Sequence, residues 1–154
     1  AGFLGDNPCC CRGLPVARMY GIAVRMDLPA TIPALRVART APDFAGCVLE
    51  DVPLPLPGAG EALVEIAAAG VNFPDLLMTA GTYQFRPDLP FTLGMEGSGI
   101  VRAVGAGVDA ALVGQPVVFG GKTGAFARFG CFPVAALRPV PAGLGMAEAA
   151  ACSA

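Results

Sequence analysis

Three polar side chains that could act on a bound ligand lie close together in an otherwise apolar part of the sequence. Asn72, Asp75 and Tyr83 fall within the stretch GVNFPDLLMTAGTYQFRPDLPFTLGMEGSGIV, which runs from Gly70 to Val101. An amide both donates and accepts hydrogen bonds, and a phenol can donate one to an oxygen that gains negative charge during a reaction. These residue types are suited to a site that holds a polar group and stabilises developing charge.

The same stretch lacks the side chains from which zinc sites are usually built. The chain has no histidine, and no cysteine lies between Cys47 and Cys131. No CxxC pair occurs anywhere in the sequence. Zinc in proteins is held mainly by thiolates and imidazoles, so the sequence does not indicate a zinc knuckle.

A short helix is predicted from Asn72 to Ala80. Asn72 can serve as its N-cap, Asp75 suits the positive end of the helix dipole, and Gly81 can end it. These structural roles are alternatives to ligand binding by Asn72 and Asp75, and both interpretations stay open.

Most of the remaining sequence predicts short strands joined by turns, because 21 glycines and 15 prolines interrupt it every few residues. Alternation in EALVEIAAAG favours a half-buried strand. An alanine-rich helix is predicted from Met146 to Ala154. The predicted strands, which suit a small β-barrel, are ALRVART, CVLEDVPLP, EALVEIAAAG, MEGSGIVRAVGAG, PVVFG and GAFARFGCFPV.

Composition excludes several classes of protein. With 55% hydrophobic and 14% charged residues, the chain of 154 residues can build one folded domain and is not intrinsically disordered. No apolar run approaches the ~20 residues that span a membrane. The net charge is −2 and the ten basic residues are scattered, so no nucleic-acid partner is expected. Three of the six cysteines are consecutive, which disfavours disulfides among them and predicts reduced thiols in the cytoplasm.

The chain divides into two parts at about residue 30. Residues 1–30 show neither helical nor strand periodicity, and we expect an irregular, disordered N-terminal extension ahead of a start at Met26. Residues 31–154 form the predicted domain.

Two nucleotide-binding motifs are incomplete. Gly105–Ala110 matches the GxGxxA pattern, but too few residues separate it from Gly114 and Pro116 for the helix that must follow, which predicts a turn between strands. The Gly-Lys-Thr at 121–123 has Pro116 where a P-loop needs its first glycine.

Several landmarks in order resemble the medium-chain alcohol dehydrogenase superfamily, and in particular its zinc-independent NAD(P)H:quinone oxidoreductases. The resemblance covers about residues 34–154. It is carried by PLPGAGEALVEIAAAGVNFPD, GTY, LPFTLGMEGSGIVRAVGAGV, GQPVVFGG and GAFARF.

The resemblance implies a fold and a set of site residues. The fold would be mainly β, a GroES-like partly open β-barrel with short helices. Asn72 and Asp75 would bind the cofactor NADPH, and Tyr83 would be catalytic at the acceptor, with packing of its loop as the alternative. Zinc-dependent relatives carry a cysteine near Asn72 and a histidine where this chain has Met95, so no metal is expected.

The resemblance also implies an activity. The full-length protein, a homodimer, would transfer hydride from NADPH to a quinone or an activated enone. The Rossmann domain that binds most of the cofactor would lie outside this chain, so residues 1–154 alone are expected to be inactive. The alternative is a non-catalytic GroES-like binding or assembly module.

Overall fold

The structure, a computed structural model, describes residues 16–19, 22–25 and 28–151 of the chain. Within these ranges most of the regular structure is β-strand, and the helices are short. The strands are β1 (Val16–Met19), β2 (Ile22–Arg25), β3 (Thr31–Val37), β4 (Cys47–Pro53), β5 (Glu61–Gly70), β6 (Phe91–Thr92), β7 (Glu96–Val104), β8 (Pro116–Gly120), β9 (Phe129–Pro133) and β10 (Leu137–Pro139). The α-helices are α1 (Phe73–Ala80) and α2 (Met146–Ala150).

The strands form two sheets. The larger has the order β1-β2-β7-β5-β9, with β8 also paired to β7 and β10 paired to β8. The smaller has the order β4-β3-β6, and a single bridge between Ala34 and Ala127 connects β3 to the segment before β9. Neither sheet closes on itself, and the predicted partly open, mainly β fold is confirmed.

Strand β5 is central and is covered on both faces. Ala62 and Val64 pack in a core cluster that includes Phe119, whereas Leu63 packs with Ile32 in a second cluster. The prediction of a half-buried strand is therefore wrong over these three residues, because hydrophobic clusters lie on both sides of the sheet there. All residue pairs between β5 and its neighbours β7 and β9 are antiparallel.

The register of β7 fixes where its first residue lies. Glu96 is opposite Gly70, the last residue of β5, and also opposite Gly120 at the end of β8. Two residues further along β7, the hydroxyl of the buried Ser98 donates a 2.6 Å hydrogen bond to the carbonyl of Met146. The start of β7 is thus held between two strands and close to α2.

Two strands occur where the sequence predicts irregular structure. β1 and β2 pair with each other, and Ala23 and Val24 of β2 pair with Val104 and Ala103 of β7. These eight residues form strands although the sequence shows no strand periodicity there, and the division of the chain at about residue 30 stays a prediction. The expected disorder of residues 1–15 concerns residues outside the described ranges.

The connection from β7 to β8 contains one 3-10 turn, Ala110–Leu112, capped by the Asp109 side chain. It holds no crossover helix, in agreement with a turn between strands. The predicted C-terminal helix is present as α2, while residues 152–154 lie outside the described part. No helix in that part is long and apolar enough to span a membrane.

Candidate functional site

Helix α1 begins and ends as its sequence predicts. Asn72 is the N-cap residue, with an extended backbone (φ −117°, ψ 154°), and Gly81 ends the helix in the left-handed conformation at φ 72°. Glycine adopts that conformation without the steric cost that a Cβ would impose. Asn72 is therefore held where β5 passes into the helix, near the start of β7.

Asp75 is buried beneath the start of α1, with 2% of its surface exposed. Its Oδ2 accepts a 2.8 Å hydrogen bond from the backbone N–H of Asn72, and its Oδ1 accepts a 3.2 Å bond from the backbone N–H of Gly94. Burial raises the pKa of Asp75 above its ordinary value of 3.8, while the two backbone hydrogen bonds lower it and the nearby charge of Glu96 raises it. Both carboxylate oxygens bond to this chain's own backbone. Asp75 thus fixes the backbone of Asn72 in place, and direct contact between the Asp75 carboxylate and a cofactor stays a prediction.

Glu96 bonds directly to Asn72. The amide Nδ2 of Asn72 donates a 2.8 Å hydrogen bond to Oε1 of Glu96, whose surface is 8% exposed. A Cβ added at Gly70 would overlap this carboxylate. Glycine at position 70 therefore leaves the space that the Glu96 side chain occupies.

Two segments, residues 94–95 and 121–126, are joined by hydrogen bonds next to this cluster. The backbone N–H of Gly121 donates to the carbonyl of Met95 at 2.7 Å, and that of Ala125 donates to the carbonyl of Gly94 at 3.0 Å. Gly94 has φ 95°, and a Cβ there would overlap the Phe126 ring. Hydrogen bonds from the segment 121–126 thus fix the backbone of residues 94–95. The carboxylate of Asp75 also accepts a hydrogen bond from this backbone, at Gly94.

Tyr83 lies at the opposite end of α1 from Asn72. Its backbone N–H donates to the carbonyl of Leu77 at 3.3 Å, past the end of the helix. Since the helix has eight residues and rises about 1.5 Å for each, roughly 12 Å of helix separates its two ends. The structure brings Asn72 and Asp75 together, as the sequence suggests, and places Tyr83 apart from them.

Tyr83 lines a pocket of about 190 Å³ together with Thr40, with Met78 of α1 and with residues of the 81–91 loop that include Phe85 and Arg86. Its ring also packs on a core cluster of Val37, Met78, Phe91 and Leu93, so the packing role considered from the sequence is present. A larger pocket of about 410 Å³, which Cys131 helps to line, contains none of the predicted site residues.

The chain around Asn72 exposes hydrophobic side chains. Val71 and Phe73, the two neighbours of Asn72 in sequence, are 74% and 69% exposed, and Leu76 one turn further is also exposed. Exposed apolar surface next to buried polar groups is typical of ligand or domain interfaces.

Metal-binding side chains do not cluster in the described residues. No group of three or more His, Cys, Asp or Glu side chains is placed to hold a metal ion there. The carboxylates of Asp75 and Glu96 are instead hydrogen-bonded to Asn72 and Gly94.

Sequence reasoning missed two contacts. It did not foresee that Asn72 donates a hydrogen bond to Glu96. The contact could have been found by aligning the end of β5 with the start of β7. It also did not foresee that the ammonium of Lys122 lies 4.8 Å from the Phe85 ring centre, which connects the 121–124 and 81–91 loops.

Comparison with known proteins identifies the family. Residues 58–151 match the model of the alcohol dehydrogenase GroES-like domain. The chain is 38% identical over 117 residues to prostaglandin reductase-3 of Bos taurus, covering 74% of this chain and 31% of that protein. It is 34% identical over 102 residues to a quinone oxidoreductase of Rattus norvegicus, covering 66% of this chain and 31% of that protein.

Two solved structures of similar proteins have the same fold over most of this chain. A mycobacterial quinone oxidoreductase superposes with a TM-score of 0.71 at 37% identity, covering 77% of this chain and 36% of that one. A mycobacterial protein complexed with NADPH gives 0.66 at 34% identity, covering 75% and 34%. The chain spans about a third of the length of the relatives it matches. It belongs to the alcohol dehydrogenase GroES-like domain family, within the medium-chain dehydrogenase/reductase superfamily.

Proposed function

We propose that this chain is the catalytic domain of an oxidoreductase that transfers hydride from NADPH to a quinone or an activated enone without a metal ion. The names of the rat and bovine relatives, and the NADPH in one similar structure, support this proposal. Because the chain spans only about a third of those relatives, the proposal concerns the full-length product of its gene.

The observation that carries the proposal is the Asn72–Asp75–Glu96 cluster. It holds one amide in a fixed position, and the side chains of its two sequence neighbours, Val71 and Phe73, are exposed. The nicotinamide end of NADPH combines an apolar ring with a carboxamide and a ribose, and a held amide beside an apolar surface suits both features. When bound, NADPH supplies the hydride, and the protein orients it. In this proposal Asn72 binds the carboxamide or the ribose. Asp75 holds Asn72 in place by accepting a hydrogen bond from its backbone N–H.

Tyr83 is proposed to act on the acceptor. Its hydroxyl would donate a hydrogen bond to the acceptor oxygen and so stabilise the negative charge that grows there. The pocket that Tyr83 lines offers the apolar side chains of Met78 and Phe85 to part of a quinone or enone.

Independence from zinc is proposed because of the chemistry of the available side chains. An amide and a thioether, at Asn72 and Met95, are poor ligands for this ion, and the chain contains no imidazole.

The experiment is an assay of the purified full-length gene product. NADPH absorbance is followed with a naphthoquinone and, separately, with an α,β-unsaturated aldehyde, before and after dialysis against a chelator. We expect turnover with at least one acceptor and no loss of rate after chelation. Absence of turnover with both would favour the non-catalytic module, and loss of rate restored by Zn²⁺ would contradict the metal-free mechanism.

A further inference from the structure

The amide of Asn72 faces a carboxylate oxygen of Glu96. Because Oε1 of Glu96 accepts the hydrogen bond from Nδ2 of Asn72, the amide lies with its nitrogen toward Glu96 and its oxygen away from Oε1. The opposite orientation would set two acceptors against each other. At 2.8 Å, with Glu96 nearly buried, this contact is short and shielded from water.

Glu96 is itself held by the sheet. It is the first residue of β7, and its backbone lies between the ends of β5 and β8 at Gly70 and Gly120. The space over Gly70 admits the carboxylate and would not admit a methyl group as well. The side chain therefore points to Asn72 from a rigid element rather than from a loop.

We propose that Glu96 is a positioning residue that sets the orientation of the Asn72 amide for the nicotinamide end of the cofactor. The inference rests on the proposed function, since it assumes that Asn72 meets NADPH. Glu96 acts through Asn72 and does not itself touch the cofactor. Fixing the amide in advance removes part of the ordering cost when the cofactor binds.

A double-mutant cycle tests this proposal on the full-length gene product. The variants are Glu96→Gln, Asn72→Ala and the combination, and Michaelis constants are measured separately for NADPH and for the quinone. The introduced glutamine would have the same shape as Glu96 but could present either the oxygen or the nitrogen of its own amide. The side-chain amide of Asn72 could then rotate so that its oxygen and nitrogen exchange places. Since hydrogen bonds to charged groups are among the stronger ones, we expect Glu96→Gln to raise the KM for NADPH about 10-fold. The KM for the quinone should stay unchanged.

The combined variant separates a positioning role from a structural one. If Glu96 acts through Asn72, the double variant binds NADPH no more weakly than Asn72→Ala alone. If the two single substitutions multiply their effects on the KM for NADPH in the double variant, the proposal is overturned. A lower kcat of Glu96→Gln with an unchanged KM for NADPH would also overturn it, because that result indicates partial unfolding. Glu65→Gln is the matched control, because Glu65 lies on the same sheet and pairs with Arg102 and Arg128. It should leave both Michaelis constants unchanged.

A second measurement covers the cases in which Glu96→Gln does not fold or the wild type consumes no NADPH. The side-chain amide signals of Asn72 are assigned in the wild-type NMR spectrum by their loss in Asn72→Ala. Two well-separated hydrogen signals, one exchanging slowly with water, support the held amide. Overlapping signals that exchange rapidly would overturn it. Absence of NADPH consumption by the wild type contradicts the proposed function, and the NMR measurement then decides separately whether Glu96 holds the amide.

Discussion

Oδ1 of Asp75 accepts a hydrogen bond from the backbone N–H of Gly94, joining helix α1 to the loop before β7 across 19 residues of sequence. The other oxygen of the same carboxylate accepts from the backbone N–H of Asn72. One buried carboxylate therefore fixes both sides of the candidate site, the helix start and the loop that leads to Glu96.

Replacing Asp75 by asparagine should destabilise the protein. The amide would set an N–H donor against one of the two backbone N–H groups and leave that buried donor unpaired. The expected loss is about 1–3 kcal/mol in the free energy of unfolding. Urea unfolding measures it, with Asp88→Asn as the control, because Asp88 is exposed and its change should cost less than about 0.5 kcal/mol. Equal stability of the two variants would contradict the role given to Asp75.

The contribution of Asp75 to the stability of the protein should fall as the pH rises, because the pKa of Asp75 is raised in the folded state. Burial raises the pKa of Asp75 above 3.8, so the folded protein holds this proton more tightly than the unfolded chain does. The resulting stabilisation is complete below pH 3.8 and is lost as the pH rises through the higher pKa of the folded state. The free energy of unfolding of the wild type minus that of Asp75→Asn should therefore fall with rising pH in this window. A difference that increases would contradict the raised pKa, and a carboxyl titration by NMR measures that pKa directly.

The part of this cluster that the sequence predicts is the local part. Asn72 as N-cap, Gly81 as the helix end and the ten-residue strand β5 all follow from signals within a few neighbouring residues. The bond from Asn72 to Glu96 spans 24 residues and depends on the antiparallel register of β5 and β7, which no local pattern fixes. The separation of Tyr83 from Asn72 likewise depends on the helix between them.

The thiol of Cys131 should react slowly in the folded protein. Burial, together with the charge of Glu61, raises the pKa of Cys131 from 9.0 to about 12. The rise reduces the thiolate fraction at pH 8 by about a thousandfold, and only the thiolate reacts with alkylating agents. Iodoacetamide labelling followed by peptide mass spectrometry should show fast modification of Cys131 in urea and very slow modification without it. Equal rates would show that the thiol is not shielded.

Tyr83→Phe should separate acceptor chemistry from cofactor binding. Removing the hydroxyl takes away one proposed hydrogen bond to the acceptor oxygen and leaves the ring that packs on the core. By analogy with the loss of one oxyanion donor, kcat should fall about 100-fold with little change in the KM for NADPH. Steady-state kinetics of the full-length product measure both constants. An unchanged kcat would leave Tyr83 with only its packing role.

In the proposed mechanism the held amide of Asn72 binds the carboxamide or the ribose of NADPH, so the nicotinamide ring should present one face to the acceptor. The most direct measurement uses NADPH deuterated on one face or on the other at C4, with mass analysis of the NADP⁺ formed with a quinone. We expect deuterium to be lost from one labelled form and kept in the other, and Asn72→Ala to form NADP⁺ about 10-fold more slowly. Loss from both forms alike, no NADP⁺ from the wild type, or an unchanged rate in Asn72→Ala would contradict this mechanism.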